Sequence, residues 1–518
     1  MEFTGWRFSG HVSRPTVGGM CEHHVNRRAL LRAGGVLAAG AAGAMLPAVA
    51  FATGSDGTEL TRTVTGRFEP GAPDWYYLPV EVPSGVNEIG VVYRYDKPQV
   101  PAGQVGNALD IGMFGPEGHE LGNHRGFRGW SGGFRDRFTI NATEATPGYL
   151  AGPIRPGTWH VVLGPYTVAQ QGLDYQVDIT LRFGPQGRPT PPKPAPSCAP
   201  ARRRGRAWYR GDGHLHTQHS DGRRTPAELV AAARAAGLDF IVSTEHNTPS
   251  ASLQWGLHAT EDLLILNGEE VTTRSGHWPA WNLPVGRWID WRYRDNQPGD
   301  FRRFVDEVHS VGGMVVAAHP YAPCLGCSFE FRYDLVDAIE VWNGPWTADD
   351  EKTVQTWDAM LREGRWVPAV GDSDAHSEPQ VVGLPHNVVL AEDLLGPAIF
   401  AGLRAGRNWI AESARVELEL TASDGRRHAG IGERLRTSRA VEVAVRVGGV
   451  PGTSVRLLTP AGVVHTEPVP DSGTAVARWT TTAAESAWVR AEVRRPVATA
   501  TTADTMVALT NPVWLSGW

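Results

Sequence analysis

The stretch GDGHLHTQHSDG, residues 211–222, sets His214 and His216 two apart and Asp221 five further on, among glycines. Residues two apart on an extended chain point to the same side, so both imidazoles can grip one ion. Further on, His246 follows IVSTE, Glu270 and His277 follow LLILNG, His319 follows MVVAA, and Asp374 with His376 follow VPAVGDS. Each of them ends an apolar run. Six imidazoles and three carboxylates brought to one place would be hard to desolvate without metal ions or an extensive hydrogen-bond network. Mixed neutral nitrogen and anionic oxygen donors suit Zn, Mn or Fe, and disfavour the all-oxygen sites of Ca or Mg. The chemistry open to such a cluster is metal-assisted activation of a bound water.

What could gather residues scattered over some 160 positions is a strand-helix fold. Past Trp208, DFIVST follows TPAELVAAARAAG, GMVVAAHP follows FRRFVDEVHSVG, and WVPAVGDSD follows DDEKTVQTWDAMLREG. That alternation predicts an α/β domain over 208–413, a parallel sheet or barrel whose strand ends converge on one face. Ahead of it, WYYLPVEV, EIGVVYRY, ALDIGMF, TWHVVLG and YQVDITLRF predict a β-sandwich or jelly-roll-like domain over 58–183. Residues 184–207 form a Pro/Arg-rich linker, held extended by prolines. Its RRRGR end reads as a solvated charge run. From 414 to 518 alternation returns without helices, predicting a second all-β module.

HLHTQHSDG, STEHNT, GEEVTTRSGH, AAHP and GDSDAH, in this order, resemble the motifs of the polymerase and histidinol phosphatase (PHP) superfamily of metallohydrolases. The flanking modules and the terminal ALTNPVWL are similar to its exported, carbaryl-hydrolase-like branch. The resemblance implies a distorted (β/α)7 barrel holding two or three divalent ions. It implies that His214, His216, Glu270 and Asp374 hold the first ion. Glu270 would bridge to a second, held also by His277 and His319, with Asp221, His246 and His376 around a third. It further implies attack by a hydroxide bridging two ions, with His214, His216, Glu270, Asp374 and His376 as the catalytic set.

The same resemblance often has Asp where Glu245 stands, which leaves Glu245 as an imidazole orienter open. GEE offers two carboxylates, and spacing favours Glu270 over Glu269. Asp372 reads as a turn residue or a support for the ligands. His219, His258, His309 and His386 read as surface or internally satisfied histidines. Arg274 could clamp a phosphate or make a loop salt bridge, and Asn343 could bind substrate or cap a turn. The tryptophans of HWPAWNLPVGRWIDWRY, with Trp342 and Trp346, could wall a pocket or simply pack.

Composition narrows the partners. A net charge of -6 and a pI near 6.3 give no basic field for a polyanion, so nucleic acid is not expected. NRRALLRAGGVLAAGAAGAMLPAVAFA resembles a twin-arginine signal peptide, with Arg27 and Arg28 ahead of a weakly apolar run, and implies that 1–52 directs export. No later run is apolar enough to span a membrane. Cys324 and Cys327 suit a local disulfide or two free thiols better than a zinc ribbon. The expected activity is hydrolysis of a small phosphoester. A carboxyl or carbamate ester is the alternative, as is a non-catalytic protein whose β modules contact the envelope or glycan.

Overall fold

The computed structural model describes residues 52–53, 58–197, 205–297, 299–497 and 501–517. The twin-arginine stretch, Cys198 and Arg202 to Arg204 lie outside the described residues. The strand Leu173–Phe183 shows why the first module forms: Leu173, Tyr175, Val177, Ile179 and Leu181 all point inward while the residues between them face water. It sits in a five-stranded sheet with Ala52–Thr53, Glu59–Phe68, Val86–Tyr95 and Arg137–Asn141. A four-stranded sheet of Tyr76–Val82, Gly157–Thr167, Ala108–Phe114 and Phe127–Gly132 shares its core. The other face of this second sheet is also covered. Phe114, Phe127, Trp130 and Val162 pack with Trp288 and Trp291 of the central layer, which explains the continuous apolar run in TWHVVLGPY.

The central layer runs β1 (Ala207–Asp212), α1 (Pro226–Ala235), β2 (Phe240–Ser243), β3 (Leu264–Thr273), β4 (Gly276–Trp281), α2 (Asp300–Ser310), β5 (Met314–Ala317), β6 (Ala338–Asn343), α3 (Ala348–Arg362), β7 (Ala369–Asp372), β8 (His386–Ala391), α4 (Gly396–Arg404) and β9 (Asn408–Ala411). Spatially the strands follow β7-β6-β5-β4-β3-β2-β1-β8-β9. β1, β2 and β3 are parallel, as are β5, β6 and β7. α1 starts where the sequence says it should. Thr225 and Glu228 form a reciprocal capping box, Pro226 opens the first turn, and Leu229, Val230 and Ala233 are buried.

The mixed α/β character matches the alternation, but a regular sevenfold strand-helix repeat does not form. Four α-helices occur in this layer among the described residues. Two 3-10 turns, Ser250–Leu253 and Trp255–Leu257, link β2 to β3. β3 then folds straight back on β4 as an antiparallel hairpin, because Arg274 and Ser275 leave no chain for a helix. The linker is less free than its prolines suggest: the Lys193 amide donates to Leu253 O at 2.7 Å, and Lys193 O accepts from the Gly256 amide at 2.7 Å.

β7 has a ladder partner only in β6, and its outer side is met by side-chain amides. Asn387 donates to Gly371 O at 3.0 Å and accepts from Gly371 N at 3.2 Å. Asn408 donates to Ala369 O at 2.9 Å, and Asn511 accepts from Ala369 N at 2.9 Å. A carboxamide carries the same donor and acceptor as a peptide group, so three asparagines fasten β7 to β8, to β9 and to the chain after Thr505–Thr510.

Beyond β9 the sheet continues antiparallel into Thr505–Thr510, Trp488–Arg495, Ser454–Thr459 and Gly462–Pro468. A four-stranded sheet of His428–Gly430, Glu417–Ser423, Val441–Gly448 and Ala475–Thr481 covers it over an aliphatic core that includes Val443, Val455, Leu457 and Val489. No helix among the described residues is long and apolar enough to cross a membrane.

Candidate metal centre

The carboxyl ends of β1, β2, β5 and β7 open at one mouth, and the β3-β4 hairpin brings Glu270 and His277 to the same place. His214 and His216 follow β1, His246 follows β2, His319 follows β5, and Asp374 and His376 follow β7. His319 and Asp374 lie in the left-handed region, at φ 26° and 47°. Non-glycine residues adopt it at a cost, so surrounding contacts must hold these two in place.

Glu270 is the hub. Its Oε2 lies 3.2 Å from His214 Nε2, 3.4 Å from His216 Nε2 and 2.9 Å from His246 Nδ1. Its Oε1 lies 3.0 Å from His277 Nδ1 and 3.3 Å from His319 Nε2. Asp374 Oδ1 is 3.0 Å from His216 Nε2 and 3.4 Å from His214 Nε2. On the outer side, Asp221 Oδ1 is 3.2 Å from His376 Nε2 and 3.5 Å from His246 Nε2. All nine residues expected from sequence are therefore brought together.

Their ligand atoms fall into four overlapping groups, each within 4.8 Å: His216, Asp221, His246 and His376; His214, His319 and Asp374; His214, His216 and Glu270; His246, Glu270 and His277. The overlap spreads wider than the three sets implied by the resemblance, since His216 reaches the outer group and His246 belongs to two.

Buried side-chain atoms normally find hydrogen bonds. Here His214 Nε2, His216 Nε2, Asp221 Oδ1, Glu270 Oε2, Asp374 Oδ1 and His319 Nδ1 make none. Five of these six belong to the atoms aimed inward at one another. Divalent ions would satisfy them, and imidazole with carboxylate is a donor set that suits Zn, Mn or Fe.

Electrostatics points the same way. Burial would raise Glu270, but His246, His214 and His277 hold its carboxyl well below the usual range. Burial opposes charge on His246 and His376 too. Glu270 and Asp221 nonetheless raise His246 to about 9, and Asp374 and Asp221 raise His376 to about 10. His216, buried and beside those two imidazoles, is driven down to about 3.

The shell behind the cluster contains a carboxylate that the sequence reading missed. Glu340, on β6 and 1% exposed, meets His214 Nδ1 at 3.0 Å and accepts from the His319 amide at 2.8 Å. A charged residue inside AIEVWN was the available signal. Asp212 accepts from Ser373 Oγ at 2.6 Å and tethers the β7 turn to β1. Asp372 accepts from Gly213 N and from Asn387 Nδ2, fixing the same junction. The main-chain oxygen of Glu245 accepts from the Glu270 amide at 3.2 Å, while its carboxylate works through a hydroxyl. It accepts from Ser220 Oγ at 2.6 Å, and that hydroxyl lies 3.4 Å from His216 Nδ1.

Glu269 points away from the mouth and accepts from the Ile289 amide, as strand alternation requires for the neighbour of Glu270. Of the other histidines, His219 meets Ser250 Oγ at 2.9 Å, His309 meets Asp337 at 2.8 Å, and His386 lies 2.9 Å from Arg210 Nη1. His258 stacks edge-on with Trp255.

Two softer expectations change. Arg274 is already committed: it donates to Asp74 Oδ1 and Pro165 O, both at 3.0 Å, and stacks on Trp75 and Tyr166. It is a module-joining ion pair, because the short β3-β4 turn aims it at the sandwich. Asn343 supports rather than faces substrate, donating to Glu340 at 3.0 Å and Asp374 at 3.4 Å. Trp278, Trp281, Trp288, Trp291, Trp342 and Trp346 are all buried as packing. Cys324 and Cys327 form a disulfide.

No family model matches the chain. It is 23% identical over 148 residues to an uncharacterised protein of Methanocaldococcus jannaschii, covering 26% of this chain and 81% of that one. Among solved structures it is similar to a two-domain protein of Bacteroides vulgatus containing a predicted PHP-like metal-dependent phosphoesterase, with 16% identity, a TM-score of 0.34, and coverage of 63% of this chain and 100% of that one. It is also similar to an amidohydrolase of Chromobacterium violaceum with bound sulfate and no metal, with 18% identity, a TM-score of 0.26, and coverage of 33% and 89%. At these levels the chemistry has to be read from the site.

Proposed function

We propose that the chain is an exported, metal-dependent hydrolase of ester bonds, with phosphoesters the leading substrates and a distorted PHP-type barrel as its scaffold. The observation that carries the reading is the ring of buried, unpartnered nitrogen and oxygen atoms around Glu270 and Asp374. His214, His216, Glu270 and Asp374 would hold one ion, Glu270 with His277 and His319 a second, and Asp221, His246 and His376 a third. Bound divalent ions supply a water of lowered pKa and positive charge where oxygen charge develops.

The chain's own residues do the rest. Glu340 and Asn343 fix the orientation of His214 and Asp374 from behind. His214, His216 and Glu270 are closed to solvent, whereas the side chains of Asp221, His376, Asp374 and His246 are 38%, 24%, 20% and 19% exposed. Substrate therefore meets the cluster from this outer side. His376 Nδ1 faces Asp374 O at 2.8 Å, which orients the ring with Nε2 toward Asp221.

A second reading, a carboxyl or carbamate ester substrate, gains from the commitment of Arg274 to Asp74, which leaves that residue poorly available to a phosphate. p-Nitrophenyl phosphate, p-nitrophenyl acetate and 1-naphthyl methylcarbamate, assayed on protein loaded with Zn, Mn or Fe, separate the two. Turnover of none, with less than one ion bound per chain, would leave the third reading, a non-catalytic binding protein. Export is supported by the Arg27-Arg28 pattern and by the disulfide, which suits an oxidising compartment. Cell fractionation of a tagged chain against its Arg27→Lys/Arg28→Lys variant tests it.

A further inference from the structure

A cavity of about 390 Å³ adjoins the outer side of the cluster, and Asp221, His246 and His277 line its inner wall. Its other walls belong to the sandwich. Trp75, Trp130, Phe134 and Tyr166 face into it, with Asp110 between them. The volume suits one ring system plus a linking group. Trp75 and Trp130 meet edge to face with centroids 5.6 Å apart, leaving flat apolar surface around a narrow space. Tyr166 donates to Leu325 O at 2.7 Å, which fixes the disulfide-closed loop at the rim. Next to the cluster, Gly276 N donates to Gly326 O at 3.0 Å in the same loop.

The charges of this wall are already balanced. Arg274 is the single Arg or Lys among the described lining residues, and it is paired with Asp74. Asp110, half-buried, accepts from the Gly133 amide. A second anionic group on a substrate would meet this carboxylate and no uncommitted cation.

We propose that the sandwich module is half of the substrate site: Trp75, Trp130, Phe134 and Tyr166 select an ester whose organic part is flat and apolar, and Asp110 rejects a second negative charge on it. This rests on reading the cluster as a hydrolytic centre, and the test separates the two. The metal-loaded protein is assayed on pairs with matched alkoxide leaving groups, 1-naphthylmethyl and methyl phosphate, then 1-naphthylmethyl and methyl acetate. Burial pushes Asp110 up to about 7, so assays near pH 8.5 keep it charged.

The wild type should favour the naphthyl member of the hydrolysed pair at least about tenfold in kcat/KM, as expected from stacking on aromatic walls. Phe134→Ala and Trp75→Leu should each reduce that ratio by about tenfold with bound metal unchanged. Phe134 is 42% exposed, so its removal leaves the core intact. Asp110→Asn should narrow the gap between phenyl and 4-carboxyphenyl esters by roughly tenfold. Hydrolysis without a naphthyl preference, or a preference that all variants retain, overturns the proposal.

If no ester is turned over, the hydrolase reading fails and the wall is still tested by calorimetry with 1-naphthylphosphonate and methylphosphonate. Tighter binding of the naphthyl compound, lost in Phe134→Ala, supports the wall. Equal affinities overturn it.

Discussion

Where α3 meets the C-terminal strands, Arg490 donates to Asp358 at 2.9 Å and to Glu492 at 2.7 Å, and Arg494 donates to Glu492 at 2.8 Å and to Glu351 at 2.7 Å. Trp357 and Trp346 lie under the two guanidinium groups. Arg490, Arg494 and Glu492 are as buried as the residues around Glu270, yet none of them keeps an unpartnered buried atom. The two arginines hold Glu492 down to about 2 against the effect of burial. The metal centre is assembled differently, with nitrogen and oxygen acceptors facing one another across a gap. Burial of charge alone does not mark a functional site. What sets the Glu270 cluster apart is incomplete pairing concentrated in one place, with His319 and Asp374 held in costly backbone geometry.

The sharpest way to break this contrast is to remove a ligand. Asp374→Ala should lower kcat by at least about a thousandfold and lose bound metal, while far-UV circular dichroism stays native. Near-normal turnover would end the site assignment. Glu492→Ala should do the reverse, destabilising the fold by about 3–5 kcal/mol in denaturant titration because it strands two buried guanidinium groups, with metal content per folded chain unchanged. Glu340→Gln keeps the shape and removes the charge behind His214. It should weaken metal binding by about 10- to 100-fold, read by competition with a chromogenic chelator.

The smallest effect concerns protons. His246 and His376, raised to about 9 and 10 in the metal-free chain, are protonated at pH 7 and must lose those protons to ligate. Calorimetry in buffers of different ionisation heat should show proton release on loading, and affinity should climb as pH rises from 7 toward 10. In the metal-free protein the sign is opposite. These raised values stabilise the fold fully below about 6.5, the unfolded value. That contribution fades as pH rises through 9 and 10.

That these nine residues converge was legible because each stands at the end of an apolar run, and strand ends of an α/β sheet meet at a common mouth. The choice of Glu270 over Glu269 was legible in its spacing to the GH pair, and the two do face opposite sides of β3. Glu340 was not, because its role depends on β6 lying beside β5 and across from His214. Arg274 stayed open between a phosphate clamp and a loop salt bridge for want of knowing that Asp74, 200 residues earlier, sits against it. The missing helices trace to local chemistry: TTRSGH turns too tightly for one, and the Pro-containing stretch after His246 takes 3-10 turns. The asparagine seam along β7 was not legible, because Asn387, Asn408 and Asn511 meet only once β8, β9 and the C-terminal strands lie side by side.

That seam, with the ladder running from β9 into Thr505–Thr510, bears on how the central layer can be isolated. A fragment ending near residue 413 would give up the amide of Asn511 and uncover a row of main-chain donors and acceptors along β9. What reads in one dimension as an appended module is, in three, the cover that keeps the edge of this sheet from fraying.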